Sequence, residues 1–409
     1  MPLPNDLKTN DMIGKHVLME ATNNLVGART CRRQWEKDFN NQTGNTLRIR
    51  KPTRYVSQDG PTITDVQAID QRTTDLAVIN YKTVPVALTD EDQTLRLDSF
   101  LETVMAPVGR EMGNTVDKIF YQEAKRVYNY VGTAGVAPNS FAAINAAGTK
   151  LNLQGVPMMD RMCLMNVSDG ASVQDGLSDK FNYQQFNERI LDSAQMGRLA
   201  NFDFYQAQNV AGQITASGTV TSGTVTLSAS SVSGDTTLSM TGLTASITIY
   251  DGAVFEVARV GSVNPLSRVP TGQIMNFVVV GDTVVSGGGT ATFTIAPQII
   301  YDGGPYTNVT ALPASGATVT FQASHNINVA YHPEAFTLAM IELPTGSNGC
   351  YQKTFTDKDA GISIRMTRQF AFGTANDQIR FDCFFALKCV YPEFATRILG
   401  STPAYTTGV

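Results

Sequence analysis

The sequence predicts an α+β host domain interrupted by an all-β insertion, and three observations predict it. From Gly212 to about Gln322 helix formers nearly vanish, and Thr, Ser, Val and Gly take over. Before that segment, Ser99 to Val131 carries apolar residues at helical spacing. After it, Asp377 to Leu399 alternates strictly, with Ile379, Phe381, Cys383, Phe385, Leu387 and Cys389 on one phase.

In chain order, residues 1–45 are a polar N-terminal arm with one short amphipathic piece. Between Arg29 and Arg54 stand eight Lys or Arg residues against Glu36 and Asp38. This is either a solvated face or an arm that reaches an acidic patch on a neighbour. Residues 46–95 read as an extended hairpin. TLRIRKPTRYVS (Thr46 to Ser57) and LAVINYKTVPVAL (Leu76 to Leu88) are strand-like, and Asp59-Gly60-Pro61 between them is a turn signal. A pair of strands with so few apolar residues is marginal alone, so the hairpin is expected to lean on another chain.

Residues 96–135 hold a long helix. Leu101, Val104, Met105, Val108, Met112, Val116, Ile119, Phe120, Ala124, Val127 and Val131 fall on one stripe. Ser99 and Glu102 have the spacing of a capping box, and Pro107 separates a short helix from a long one. From Val108 to Val131 the long helix would run about 36 Å. Gly109 and Gly113, four apart, lower its packing height. Residues 136–211 begin with a small-residue helix, Phe141 to Leu151, capped by Asn139 or Ser140. A buried strand (Arg161 to Val167), a helix around Glu188 to Met196 and an extended aromatic run (Phe202 to Tyr205) follow.

Residues 212–325 form the insertion. VTLSA, TTLSM, SITIY, AVFEVARV, NFVVV, TFTIA and TVTFQ are strand-like runs separated by Gly, Pro and Asn. A linker would not carry so many regular β runs, and a mucin-like stalk would be richer in Pro. The reading is a folded all-β sandwich or barrel, with flexibility confined to its start, Thr215 to Gly223. Residues 326–409 return to helix and strand.

The bulk numbers bound function. At 409 residues the chain has room for two or three domains. Only 16% of it is charged, against about 25% in ordinary chains, which implies surface covered by neighbouring subunits. A net charge of −5 argues against general nucleic-acid binding, which calls for a basic chain, although such a chain could still surround nucleic acid. Cys31, Cys163, Cys350, Cys383 and Cys389 are scattered and odd in number. Cys383 and Cys389 would lie about 20 Å apart along one strand, beyond disulfide reach, so all five are expected to be reduced. MPLPNDLKTNDMIGKHVLME lacks the charge and apolar pattern of a signal peptide. The longest apolar runs, such as Phe277 to Val280, are too short for a membrane span. A soluble cytoplasmic product is expected.

No catalytic set emerges. His16, His325 and His332 lack metal-ligand spacing, and no phosphate loop, dinucleotide fingerprint, GxSxG or HExxH occurs. SDGAS (Ser168 to Ser172) and YDGGPY (Tyr301 to Tyr306) read as turns, and DKDAG (Asp357 to Gly361) lacks the length of a calcium loop. His332 reads as a hydrogen-bonding residue at a strand end. Lys82 and Asn80 are the residue types of an intersubunit cross-link, with nothing further pointing to one. No catalytic, cofactor-binding or metal residue is assigned, and no cofactor is expected.

A polar arm, a long β excursion, one long helix, a mixed α+β domain and a closing β segment occur in this order in tailed-phage major capsid proteins of the Hong Kong 97 fold. The inserted β domain narrows the resemblance to coat proteins of the phage P-twenty-two type. VPVALTDEDQTLRLDSFLETVMAPVGREMGNTVDKIFYQEA resembles that family's hairpin return and spine helix. VAYHPEAFTLA resembles its re-entry strand, and AGISIRMTRQF and DQIRFDCFFALKCVYPEFATRI its closing strands. The resemblance covers nearly the whole chain and rests on order and texture more than on one motif.

It implies an N-arm (1–45), an E-loop (46–95), the spine helix of a peripheral domain (96–135), an axial domain (136–211), an inserted barrel-like domain (212–325), and axial and peripheral return strands (326–409). It further implies a structural protein, not an enzyme, in the virion capsid. Pentamers and hexamers would form an icosahedral shell around double-stranded DNA without sequence-specific binding. A separate scaffolding protein, a portal protein and decoration proteins would be partners, with no membrane, after synthesis in the host bacterial cytoplasm. The competing reading is an adhesin whose β domain binds carbohydrate. An enzyme reading fails for want of nucleophile, base and orienter.

Overall fold

The computed structural model describes residues 5–40, 44–58, 60–61, 66–67, 69–89, 101–178, 197–346, 349–357, 361–371 and 376–403. The expected helix at Glu188 to Met196, Ser99 of the capping box, Asp59 of the turn signal and the centre of DKDAG lie outside them. The chain forms two units. One comprises residues 1–49, 74–120 and 336–388, the other residues 50–73, 121–335 and 389–409.

In the first unit the arm is more structured than expected. Helix α1 runs Asn5–Asn24. Ile13, Val17 and Ala21, four apart, are buried together with Leu18, a single stripe that is enough to dock the helix. Helix α2, Ala106–Ala124, follows directly on one π-helical turn, Leu101–Met105. Pro107 sits in the first turn of α2, where it breaks nothing. The expectation of a helix reaching Val131 fails. With 19 residues, α2 is about 28 Å long. Its apolar stripe continues into Val127, Tyr128 and Tyr130, which are buried but not helical. Tyr130–Val131 is a strand parallel to Ala395–Leu399, and the Asn129 carbonyl accepts the Arg397 N–H at 2.8 Å. β-branched and aromatic residues with a sheet edge available adopt the strand.

Gly109 and Gly113 let α1 lie against α2. A Cβ on Gly109 would stand 2.6 Å from the Val17 carbonyl oxygen, and one on Gly113 2.7 Å from that of Ala21. Beneath them, Ala21, Leu25, Met112, Val116, Met340, Ile362, Ile364 and Cys383 surround a void of only about 10 Å³. The sheet of this unit orders Phe336–Met340, Asn376–Cys389, Ile362–Ala371 and Tyr351–Asp357, and Asn80–Thr89 also pairs with Asn376–Cys389. The predicted alternation holds: Ile379, Phe381, Cys383, Phe385, Leu387 and Cys389 are all buried.

In the second unit a mixed sheet orders Tyr130–Val131, Ala395–Leu399, His325–Tyr331, Arg161–Asn166, Phe202–Ala207 and Arg198–Leu199. Helix α3, Phe141–Leu153, covers it with Ile144, Ala147 and Leu151 packed on Cys163, Phe202, Ala330 and Ile398. Ser140 is its N-cap, accepting the Ala143 N–H. Ser168 to Ser172 are not a turn. They lie in helix α4, Val167–Ser178, which Asn166 caps by accepting the Ser168 N–H at 3.0 Å. Asp169 in this helix reaches inward, where α4 gains the Asn328 amide as a partner, and that tertiary bond overrides the turn preference of Ser, Asp and Gly.

The insertion is a closed barrel. Its six antiparallel strands run in the order Val319–Phe321, Val254–Val263, Pro270–Val279, Thr290–Ala296, Thr237–Leu243, Thr221–Leu227. The ends meet: Leu227 N–H donates to the Ala317 carbonyl at 3.0 Å and Gly316 N–H to the Leu227 carbonyl at 2.8 Å. Closure removes the sheet edges. Phe255, Phe277 and Phe293 fill the interior, fully buried. The expected flexibility of Thr215 to Gly223 is not found. Thr215 is buried and donates through its hydroxyl to the Gln322 carbonyl at 2.8 Å, Ser217 N–H donates to the Thr248 carbonyl at 2.9 Å, and Thr221 begins a strand. Low side-chain complexity here accompanies a backbone anchored at Thr215, Ser217 and Val220, whose carbonyl accepts the Thr244 N–H at 3.1 Å.

Candidate assembly interface

The hairpin is the element with least core of its own. Thr46–Arg50 pairs with Thr73–Ala77, backed by an exposed Arg48–Asp75 ion pair at 3.1 Å. Beyond this pair the two legs are stitched by Lys51 N–H to the Arg72 carbonyl at 2.8 Å and by Gln67, whose amide bonds the Val56 N–H at 2.7 Å and also the Val56 carbonyl. Large apolar side chains stand out here: Val66 is 83% exposed and Ile69 77%. The hairpin, expected to lean on another chain, also makes contacts within its own. Residues 50–73 meet their own chain, with Lys51 over the Tyr391 ring at 4.9 Å and Arg54 near Glu393 at 3.8 Å. The basic run is therefore partly neutralised within the chain.

Polar groups that the sequence reading missed hold the frame of each unit. Asp117, in the apolar stripe of α2, is buried and accepts the Val26 and Ala28 N–H groups, each at 2.9 Å. Burial raises its carboxyl pKa, opposed by bonds from the Ala28, Val26 and Gly27 N–H groups. A lone carboxylate within an apolar stripe was the available signal. In the sheet, buried Asp382 takes Arg380 at 2.6 Å, Arg365 at 2.8 Å and the Thr83 hydroxyl at 2.7 Å, tying three strands. Burial alone would raise its pKa, but these three donors together bring it below the usual range. Asp11 on α1 is lowered by Lys353 and then Tyr351, which bond it at 2.6 and 2.9 Å.

The joint between the barrel and the mixed sheet of this second unit is built on Arg397. Fully buried, it donates to the Gly252 carbonyl at 2.9 Å and to the Lys125 carbonyl, and burial lowers its pKa to about 9. Beside it Arg126 pairs with Asp251 at 2.7 Å. Asp169 accepts the Asn328 amide at 2.7 Å and the Ser401 N–H at 3.0 Å. These contacts span long sequence separations, which is why no local pattern announced them.

Among the described residues the histidines, cysteines and hairpin Lys82 and Asn80 form no single cluster. His16 lies on α1. His325 is buried and bonds the Ala323 carbonyl at 2.8 Å. His332, at its strand end, accepts the Glu334 N–H at 3.4 Å. Lys82 stands opposite Cys383, and Asn80 opposite Phe385, within paired strands. Cys31, Cys163, Cys383 and Cys389 are free and buried, and burial raises their thiol pKa values, that of Cys383 to about 12. Among the described residues no three His, Cys, Asp or Glu side chains could hold a metal, and no helix is long and apolar enough to cross a membrane.

Comparison with known proteins gives one broad match. The family described as "P22 coat protein - gene protein 5" matches residues 3–400. No curated protein matches the chain. Among solved structures, one from Mycobacterium phage Che8 is 13% identical, covers 91% of this chain and 90% of its own, and has a TM-score of 0.47. The capsid of cyanophage P-SCSP1u is 9% identical over 88% of this chain and 85% of its own, with a TM-score of 0.44. The CUS-3 coat protein I-domain is 28% identical over 24% of this chain and 94% of its own, with a TM-score of 0.19. The family match runs through both units and the inserted barrel, so the chain belongs to the P22 coat protein family and is a major capsid protein, not an enzyme, whose copies self-assemble into the virion shell.

Proposed function

We propose that pentamers and hexamers of this chain enclose a double-stranded DNA genome after synthesis in the host bacterial cytoplasm, with a separate scaffolding protein, a portal protein and decoration proteins as partners. Residues 1–45 serve as arm, 46–95 as E-loop, 96–135 as spine, 136–211 with 326–409 as axial and peripheral framework, and 212–325 as inserted domain. The observation that carries the assembly role of the hairpin is its exposed apolar pair, Val66 and Ile69. Two strands cannot bury such residues themselves, and a neighbouring subunit in a shell can. The acidic balance fits a container that releases its genome, because phosphate neutralisation is a strong and sequence-independent attraction.

The test is to delete Gln58 to Thr74 and follow sedimentation and negative-stain microscopy, with and without the proteins encoded beside this gene. The expected outcome is a folded chain that fails to close shells of normal size. Normal shells from the deletion variant would remove the hairpin from the assembly contacts. The carbohydrate-binding alternative gains nothing from the family match.

A further inference from the structure

The inserted barrel presents a seat that is occupied by the hairpin of its own chain. Tyr306 lies at the end of the Tyr301–Tyr306 loop, and four hairpin residues converge on that loop and on the hairpin turn of the barrel. The Arg72 guanidinium lies 4.1 Å from the Tyr306 ring centroid and that of Arg54 5.9 Å. The Tyr306 hydroxyl donates to the Asp70 carbonyl at 2.8 Å and accepts the Arg54 N–H at 3.4 Å. Arg268, in the turn between the two longest barrel strands, donates to the Tyr55 carbonyl. On the barrel side the seat is braced by its own hydrogen bonds. Asp302 accepts the Gly304 N–H at 2.9 Å and the Thr307 hydroxyl at 2.8 Å, and Asn308 bridges Ile300 and Gln298 at 2.9 and 2.7 Å. Asn264 likewise closes the turn that carries Arg268, accepting the Leu266 and Ser267 N–H groups at 2.8 and 3.0 Å.

From this convergence we propose that the inserted domain is a docking site for the two legs of the hairpin of the same chain, at Arg54 and Tyr55 on one leg and at Asp70 and Arg72 on the other, with Tyr306 as its clamp. An aromatic face attracts guanidinium groups through its quadrupole, and the Tyr hydroxyl reads the backbone of both legs at once. The arrangement recognises Arg pairs on an extended two-legged segment. It holds that segment in one place before any neighbour is bound, so the ordering entropy of the hairpin is lost on folding instead of on assembly. The consequence for assembly rests on the shell reading, whereas the docking itself does not.

The experiment is hydrogen exchange on the full unassembled chain, comparing the parent with Tyr306→Ala, Tyr306→Phe and Arg72→Gln. Tyr306→Ala should speed exchange of residues 51–58, which include the bonded Lys51, Arg54 and Val56 amides, by about tenfold. Barrel strands 254–263 and 270–279 should be unchanged. Tyr306→Phe, which keeps the ring and loses the hydroxyl, should give a smaller rise. Arg72→Gln lies outside the barrel, and should reproduce the rise even if Tyr306→Ala fails to fold. Unchanged exchange in 51–58 in Arg72→Gln and in a folded Tyr306→Ala would overturn the docking site. Failure of the parent chain to form shells would instead count against the assembly reading, so the two failures are distinct.

Discussion

Substituting Gly113 by Ala sets two physical effects of opposite sign against each other. In an exposed helix interior this change stabilises by about 1 kcal/mol, because Ala loses less backbone freedom than Gly. Here the new Cβ would stand 2.7 Å from the Ala21 carbonyl oxygen, where ordinary contact begins near 3.4 Å. That oxygen belongs to the backbone of α1 and cannot swing aside, so the two helices must separate. Separation loosens Val17, Ala21, Met112 and Val116, all buried at this crossing. Overpacking of this kind costs about 1–3 kcal/mol, and with an immovable backbone partner the upper half applies. Net destabilisation is therefore about 1–2 kcal/mol after the propensity gain. Trp35 is the only tryptophan and lies in the first unit, so its fluorescence during urea unfolding of the unassembled chain reports this unit. The midpoint should fall with the slope preserved. A midpoint that rises or holds would refute the close helix approach, because propensity alone would then account for the result.

Three further outcomes are expected. Phe120→Asp should abolish folding of the first unit, because Phe120 is fully buried 4.7 Å from the Phe336 ring and an unpaired buried charge costs several kcal/mol; a cooperative Trp35 transition in this variant would contradict the core assignment. Asp382→Asn should cost about 3 kcal/mol by stripping Arg365 and Arg380 of their shared partner. The depressed Asp382 pKa stabilises above the ordinary carboxylate value, and the contribution is lost as pH falls through the folded value. Acid urea titrations of parent and variant should therefore converge, and parallel curves would refute the assignment. His325, lowered by burial to about 4 from 6.5 despite its bond to the Ala323 carbonyl, is neutral when folded. Its contribution is present above pH 6.5 and falls away as pH drops towards 4, by about 2–3 kcal/mol at pH 4.5. His325→Gln should flatten the acid dependence of exchange in the 325–331 strand, and an unchanged slope would count against it.

Periodicity made most elements readable. The alternation from Ile379 to Cys389, the β runs of the insertion and the glycine pair on α2 each repeat a local rule that burial enforces. α1 is hard to read from sequence because its apolar residues are few, and the partner face that suffices for them lies on α2 and the sheet. Ser168 to Ser172 misled because local turn chemistry competes with a buried Asp169–Asn328 bond that joins residues far apart in sequence. Tyr306 offered no signal at all, since nothing near it in sequence names Arg54 or Arg72 as its partners.

By itself, then, the order of periodic segments determined the architecture: two strands of hairpin, a glycine-notched helix, an inserted barrel and a closing alternating strand. Those features follow from side-chain spacing against a buried face and need no long-range information. Where α2 ends, how the barrel closes, which buried charges are paired and where the hairpin rests were decided only by tertiary structure. Each depends on a hydrogen-bond or ring partner brought close by folding. The stop at Ala124 depends on Arg397, closure on the pairing of Leu227 with Ala317, and the hairpin seat on Tyr306.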